Sequence, residues 1–247
     1  MIKAMIFDLD GTLVQTERLK AISYARAAME LCPDEIREDD VIEAFKDVVG
    51  LSRREVAIAL VERFNLAKKA KERMREFSVA SPWQAYVQVR LKIYNDMLSD
   101  PQIIRDNHWR HNVDLLNQAR ASNCKVGLAT MSTCEQAQYV LKELGLEDAF
   151  DFVASRDDVE KGKPDPEIYL MVADELGIAP SECMVIEDSP TGVKAALHAG
   201  MQVVAVSTPF TKKGLHESNL LPESHIVDNS KDLLDIVAHV GEHAGGF

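Results

Sequence analysis

Apolar residues fall into two rhythms along the chain. Short apolar runs at residues 3–7, 124–130, 150–155, 183–186 and 202–206 are each bounded by polar or turn-forming residues, the pattern of strands buried on both faces of a sheet. Between and around the later runs, residues 113–121, 134–144, 166–176 and 191–199 carry apolar positions at helical spacing. Strand and helix thus alternate from about residue 112 onward, which predicts a parallel sheet built from right-handed strand–helix–strand units. Residues 16–100 read differently. Ile22, Ala25, Ala28 and Met29, then Val41, Ile42, Phe45 and Val49, then Val56, Ile58, Ala59, Val61 and Phe64, and finally Trp83, Tyr86, Val87, Leu91, Tyr94 and Leu98 recur at helical spacing with no convincing strand among them. The expected organisation is an α/β core with a Rossmann-like parallel sheet, formed by residues 1–14 and 101–247, into which a helical domain at 15–100 is inserted.

Ligands of open α/β sheets bind at the carboxyl ends of the strands, so the segments after the apolar runs are where chemistry is sought. The first run meets Asp8-Leu-Asp10-Gly-Thr12. A carboxylate at a strand end can attack phosphorus and form an acyl-phosphate. A second carboxylate two residues on can protonate the leaving oxygen and later deprotonate water. The run ending near residue 130 meets Thr130-Met-Ser132, hydroxyls and backbone N–H groups suited to a phosphate oxygen, or to a helix cap. Lys161-Gly-Lys163-Pro-Asp-Pro166 offers a fixed ammonium, and Glu187-Asp188-Ser189-Pro190 an acidic pair able to complete an all-oxygen Mg²⁺ site with Asp8. Each segment taken singly is an ordinary turn, cap or surface charge. Their coincidence at four strand ends is what those bland readings do not require.

Composition narrows the partners. The 247 residues are 46% hydrophobic and carry 28 Lys and Arg against 40 Asp and Glu, a formal charge of −12, which opposes nucleic acid or an anionic membrane and favours a small-molecule substrate. An anionic substrate then needs local positive charge from a metal or a few basic side chains. The apolar stretch before Asp8 is too short for a secretory signal, and no run approaches the roughly 18 apolar residues of a membrane span, so a cytoplasmic protein is expected. Cys32, Cys124, Cys134 and Cys183 show no C-x-x-C pair and are expected to be reduced, mostly buried thiols. His239 and His243 on a final helix, and the basic run from Lys68 to Arg75, are read as solvated.

Asp8-Leu-Asp-Gly-Thr-Leu13 with Thr16-Glu17, Leu128-Ala-Thr130, Gly162-Lys-Pro-Asp-Pro166 and Val185-Ile-Glu-Asp-Ser-Pro-Thr-Gly192 resemble, in order, the four motifs of the haloacid dehalogenase superfamily. Within it the chain is most similar to the phosphatase and β-phosphoglucomutase-like branch that carries a helical cap after the first motif. The resemblance implies Asp8 as nucleophile, Asp10 as general acid and base, and Thr130 and Lys163 as holders of the phosphoryl group. It implies Mg²⁺ on Asp8, the Asp10 carbonyl and Asp188, with Glu187 as a metal-linked second acidic residue. Superfamily dehalogenases lack the second aspartate, so Asp10 points to phosphoryl transfer.

Substrate choice is expected to lie in the cap. Gly50-Leu-Ser-Arg53 resembles the loop through which mutase-like members place an arginine on a substrate phosphate, which makes Arg53 a substrate-binding candidate. Lys20 stands where sugar-phosphate mutases have a histidine, and Asp96 where they have a further lysine, departures that favour hydrolysis of a small phosphorylated metabolite over the alternative, a β-phosphoglucomutase-like mutase. His108-Trp-Arg-His111 replaces the Pro-Gly turn that usually opens the return to the core.

Overall fold

The computed structural model describes residues 1–49 and 51–243. Gly50 of the loop motif and the side chain of His243 lie outside the described residues. The chain divides into two compact units, one of residues Met1–Gln15 and Ile104–Phe247, the other of Thr16–Ile103. The division thus falls one residue and three residues beyond the expected points. Its second crossing lies within a continuous helix, Pro101–Asp106, where hydropathy gives no break.

In chain order the elements are β1 Ala4–Phe7, α1 Thr16–Leu31, α2 Glu38–Lys46, α3 Arg53–Arg63, α4 Ala67–Glu72, α5 Pro82–Leu98, α6 Pro101–Asp106, α7 Arg110–Ala121, β2 Lys125–Ala129, α8 Cys134–Glu143, β3 Phe152–Ala154, α9 Glu167–Leu176, β4 Cys183–Glu187, α10 Pro190–His198, β5 Gln202–Val206, α11 Lys212–Ser218, β6 Ile226–Val227 and α12 Leu233–His243. The six strands form one sheet in the order β3-β2-β1-β4-β5-β6, every pair parallel. The chain leaves β1 toward β2 and β3, then returns to the other side of β1 with β4. This reversal is the topological switch point at which such sheets bind ligands. Phe7 stands opposite Leu128 on one side and Ile186 on the other. One residue on, Asp8 therefore emerges beside Ala129 and Glu187.

Gly127 shows how tightly this sheet is packed. A β-carbon there would lie 2.3 Å from Cγ1 of Val172, so the missing side chain is what lets α9 rest against β2. Around it Ile6, Ala129, Ala154, Ile168, Val172, Val185 and Val203 are all essentially inaccessible. The two-residue β6 has too short an apolar run to stand out in the sequence and was not among the expected strands.

The helical unit has its own aromatic centre. Tyr24 of α1 packs on Phe45 of α2 at 5.6 Å and on Tyr86 of α5 at 5.7 Å between ring centroids. The fully buried Tyr86 hydroxyl donates to the Tyr24 carbonyl at 2.8 Å. Before α3, Ser52 and Glu55 form a reciprocal capping box, which fixes Arg53 as the first helical residue. Two members of the basic run are paired locally, Lys69 with Glu72 and Arg73 with Glu30 and Glu76. The four cysteines are free thiols; Cys134 is exposed at the start of α8 and departs from the buried setting expected of them. Among the described residues, no helix is long and apolar enough to cross a membrane.

Because the Val172 methyl has nowhere to go without displacing α9, Gly127→Ala is expected to cost about 1–3 kcal/mol. Chemical denaturation measures this, and Val172→Ala added to Gly127→Ala is expected to recover part of the loss.

Candidate active site

β1 delivers Asp8 to the switch point, where its backbone N–H donates to the Ile186 carbonyl at 3.0 Å. The chain then turns sharply. Gly11 takes φ of +88°, and a β-carbon on it would lie 2.1 Å from Oδ2 of Asp188, so only glycine lets this loop pass against the Asp188 carboxylate. The Gly11 N–H donates to the Val14 carbonyl at 2.7 Å, closing the loop. Asn112 of α7 fastens it from outside by donating to the Thr12 carbonyl at 2.6 Å, and the Trp109 N–H donates to the Leu13 carbonyl at 2.8 Å. The His108 segment, which replaces the expected Pro-Gly turn, is thus an anchor for the loop after β1.

Lys163 reaches the same place from the loop before α9. Its ammonium donates to Oδ1 of Asp8 at 2.7 Å, to Oε1 of Glu187 at 2.7 Å and to the Ala129 carbonyl at 3.0 Å, so all three N–H groups are engaged. Its side chain is 5% exposed, and those of Asp8 and Glu187 are 8% and 1% exposed. Burial pushes the Asp8 carboxyl up to about 7, opposed by Lys163 and reinforced by Glu187 and Asp10. Burial alone would lower the Lys163 ammonium, but Asp8 and Glu187 outweigh it and hold the ammonium well above the ordinary lysine value. Lys163 therefore stays charged at neutral pH.

Glu187 is the most heavily used carboxylate. Oε1 accepts from Lys163 and, at 3.0 Å, from the Tyr169 hydroxyl; Oε2 accepts from the Asp188 N–H, the Ser189 N–H and the Ser189 hydroxyl at 2.9, 2.9 and 3.0 Å. With five donors on it, Glu187 orients Lys163 and the Asp188 loop. Gly192 is the counterpart of Gly11 here, since a β-carbon on it would lie 1.6 Å from Oε1 of Glu187. Ser189 also caps α10 by accepting from the Gly192 N–H at 3.1 Å.

Asp10 is held separately and is partly exposed. Its Oδ2 accepts from the Ser132 hydroxyl at 2.6 Å and the Thr130 hydroxyl at 3.3 Å. Thr130 is fully buried and its hydroxyl also accepts from the Ser132 N–H at 3.1 Å. The cap of α8 is Thr133, so neither Thr130 nor Ser132 is spent as a helix cap.

The structure thus brings Asp8, Asp10, Thr130, Lys163, Glu187 and Asp188 to one end of the sheet. Arg53 is exposed at the start of α3 in the other unit. Lys20 there is paired with Glu17 at 2.8 Å, and Asp96 is an exposed residue of α5. Sequence reasoning did not find Tyr169, although a tyrosine on the buried face of α9 needs a partner for its hydroxyl and so carried a signal. Nor did it find the Ala129 carbonyl, which no side chain reports.

Ligand oxygens of Asp8, Glu187 and Asp188 lie within 4.8 Å of one another, all buried. An all-carboxylate set of this kind suits a hard divalent cation. Glu187 already accepts from five donors, so of the three its oxygens are the most committed to the protein's own described hydrogen bonds.

Residues 2–200 match the haloacid dehalogenase-like hydrolase family. The chain is 31% identical over 200 residues to a phosphorylated carbohydrates phosphatase of Thermotoga maritima, covering 81% of this chain and 82% of that protein. It is 30% identical over 204 residues to the β-phosphoglucomutase of Bacillus subtilis, with 83% of each covered. In three dimensions it is similar to a family hydrolase of Deinococcus radiodurans at a TM-score of 0.72 and 22% identity, over 97% of this chain and 96% of that one. Sheet order, switch-point carboxylates and sequence agree: the chain belongs to the haloacid dehalogenase-like hydrolases.

Proposed function

We propose that this chain is a Mg²⁺-dependent phosphatase that hydrolyses a small phosphorylated metabolite through an aspartyl-phosphate. The observation that carries the reading is the unequal housing of two carboxylates. Asp8 is buried against Lys163 at the switch point, whereas Asp10, two residues on, is partly exposed and held by hydroxyls. Different environments for paired carboxylates are how one site runs nucleophilic and acid–base chemistry together. Similarity to a phosphorylated carbohydrates phosphatase and to a probable pseudouridine-5′-phosphatase of Drosophila melanogaster, 30% identical, supports the substrate class.

In this reading residues 1–14 and 101–247 are the catalytic core and 15–100 the cap. An Asp8 oxygen attacks phosphorus while Asp10, as the acid, gives its proton to the departing ester oxygen. Asp10 then takes a proton from water, the water oxygen attacks phosphorus, and the bond to Asp8 breaks to free inorganic phosphate. Lys163 and Thr130 are assigned to the phosphoryl oxygens, each turning one donor toward them from its present acceptor, and Lys163 offsets the repulsion between substrate dianion and nucleophile. Mg²⁺ would be held by Asp8, the Asp10 carbonyl and Asp188, with Glu187 linked behind them, and would supply charge neutralisation. Arg53 is assigned to substrate binding. The second reading, a β-phosphoglucomutase-like mutase, is favoured by the similarity to such an enzyme in Bacillus subtilis.

Asp8→Asn is expected to retain less than about a hundredth of native turnover, as for other displaced nucleophiles, and EDTA to silence the native protein until Mg²⁺ is restored. Steady-state phosphate release checks both.

Asp10→Asn is expected to slow alkyl phosphates by roughly 10²–10⁴-fold and p-nitrophenyl phosphate much less, because phenolate leaves without an acid. Equal losses would remove the acid–base role. Phosphate release from a hexose phosphate that outpaces its isomerisation is the expected product pattern; the reverse would establish the mutase reading.

Lys163→Met leaves two buried carboxylates without their cation and is expected to cost about 3–5 kcal/mol at neutral pH. The loss should shrink as pH falls, since protonation of the already raised Asp8 relieves the repulsion, and Mg²⁺ should restore part of it. Thermal denaturation between about pH 5 and 8, with and without Mg²⁺, reads both effects.

A further inference from the structure

Lys163 has three N–H donors, and all three are spent, on Asp8 Oδ1 and Glu187 Oε1 at 2.7 Å and on the Ala129 carbonyl at 3.0 Å. A lysine that is to take a phosphoryl oxygen must therefore give one of these acceptors up. An acceptor abandoned in the interior costs its desolvation unless another donor serves it, and a carboxylate costs most. The three acceptors are not equally prepared for that loss.

Among the described residues only Lys163 donates to the Asp8 carboxylate. Asp8 is also the nucleophile in the phosphatase reading, and the ammonium beside it is what offsets its repulsion by the substrate. The Ala129 carbonyl is neutral and belongs to the strand β2. Glu187 differs from both. Its Oε1 already accepts a second hydrogen bond, from the Tyr169 hydroxyl at 3.0 Å, and its Oε2 holds three further donors that do not involve the lysine. The Tyr169 bond is longer than the Lys163 bond to the same oxygen and longer than an ordinary hydroxyl bond, so the phenol has room to draw closer when the ammonium withdraws.

Tyr169 touches both members of this ion pair. Its ring centroid lies 4.8 Å from the Lys163 ammonium, a cation–π attraction that needs no hydrogen-bond acceptor. The side chain is fully buried on α9 in the same apolar cluster as Ile168, Val172 and Ala173, which hold the phenol in place. A phenol is unionised at neutral pH and has one proton to give. Here that proton goes to the oxygen that Lys163 shares.

We propose that Tyr169 is a positioning residue for phosphoryl binding: its hydroxyl keeps Glu187 Oε1 hydrogen-bonded while Lys163 turns one N–H from that oxygen to the phosphoryl group of the substrate. This rests on the phosphatase reading and assigns the exchange within it to one hydrogen bond. Without the hydroxyl, Lys163 is the one described donor to Oε1, and turning toward the substrate leaves that buried oxygen unserved. The tyrosine thus matters most in the bound state, where it stands in for the lysine.

The test compares the native protein with Tyr169→Phe, which removes the hydroxyl and keeps the ring over the ammonium. Sodium phosphate, added at constant ionic strength with Mg²⁺ present, is the probe, and its affinity is read from the rise in Tm. Tyr169→Phe is expected to weaken phosphate binding by about tenfold or more, as loss of a hydrogen bond to a charged group allows. Steady-state phosphate release gives a second readout. KM should rise by a similar factor for p-nitrophenyl phosphate and for an alkyl phosphate, with kcat little changed, because the exchange occurs on binding and moves no proton to the leaving group. A tyrosine that only packs would lower the Tm of the phosphate-free protein and leave phosphate affinity and KM unchanged.

No phosphate-induced rise in the native protein, an equal rise in Tyr169→Phe, or a loss confined to kcat overturns the proposal, while continued turnover still supports hydrolysis. If the native protein releases phosphate from no ester, the phosphatase reading fails, and the phosphate-induced rise in Tm decides the role of Tyr169 alone. Should Tyr169→Phe not fold, the native protein gives the answer by NMR. The buried Tyr169 hydroxyl proton is expected to move downfield when phosphate binds, as its bond to Glu187 shortens. An unmoved resonance overturns the proposal.

Discussion

One buried ammonium organises the catalytic end of the sheet. Asp8 and Glu187 emerge side by side because β1 and β4 are paired in register, and without a cation between them two carboxylates in a desolvated position would not both ionise. Lys163 bridges them, and the rest follows from its needs. The Ala129 carbonyl takes its third N–H, and Tyr169 lies with its ring 4.8 Å from the ammonium while its hydroxyl donates to Glu187. Glu187, thus fixed at one oxygen, uses the other to gather the backbone that presents Asp188. A charge balance at one point thus fixes Asp8 and Glu187 and, through Glu187, the loop that carries Asp188.

That balance explains why glycine occurs where it does. Gly11 and Gly192 approach the carboxylates of Asp188 and Glu187 so closely that no side chain fits at either position. The two loops are shaped around the oxygens they surround. Asp10, by contrast, leans on the movable hydroxyls of Ser132 and Thr130, a softer mounting suited to a group that must exchange a proton.

Much of this was legible in the sequence because strand ends advertise themselves: an apolar run that stops at a carboxylate, a threonine, a lysine or an acidic pair locates the switch point without coordinates. What stayed hidden depends on the third dimension. Tyr169 looks like one more core residue of α9 until its hydroxyl is seen on Glu187. Glu187 and Asp188 read as equals, yet five donors converge on the first, while a backbone without a side chain passes against the second. Arg90 was unremarkable within an amphipathic helix, because burial against the Tyr24 and Tyr94 rings leaves no trace in residue spacing. The strand β6 is too short for any periodicity to show.

The backbone bonds where the chain leaves and re-enters the α/β unit bear on how the protein folds. Gln15 donates to the Asn107 carbonyl, Trp109 to that of Leu13, and Val14 bridges to His108 in antiparallel fashion. The departing and returning segments of the α/β unit are thus zipped together, so residues 16–103 are an excursion whose two ends are closed on each other. Joining β1 to β2 requires closing that long excursion, an entropic cost that grows only logarithmically with its length but must be met before the sheet rewards it. A contiguous helical unit with its own aromatic centre shortens the effective loop once it has collapsed. Contact order therefore favours forming the inserted helices from local contacts before the zipped segments draw the interrupted sheet together.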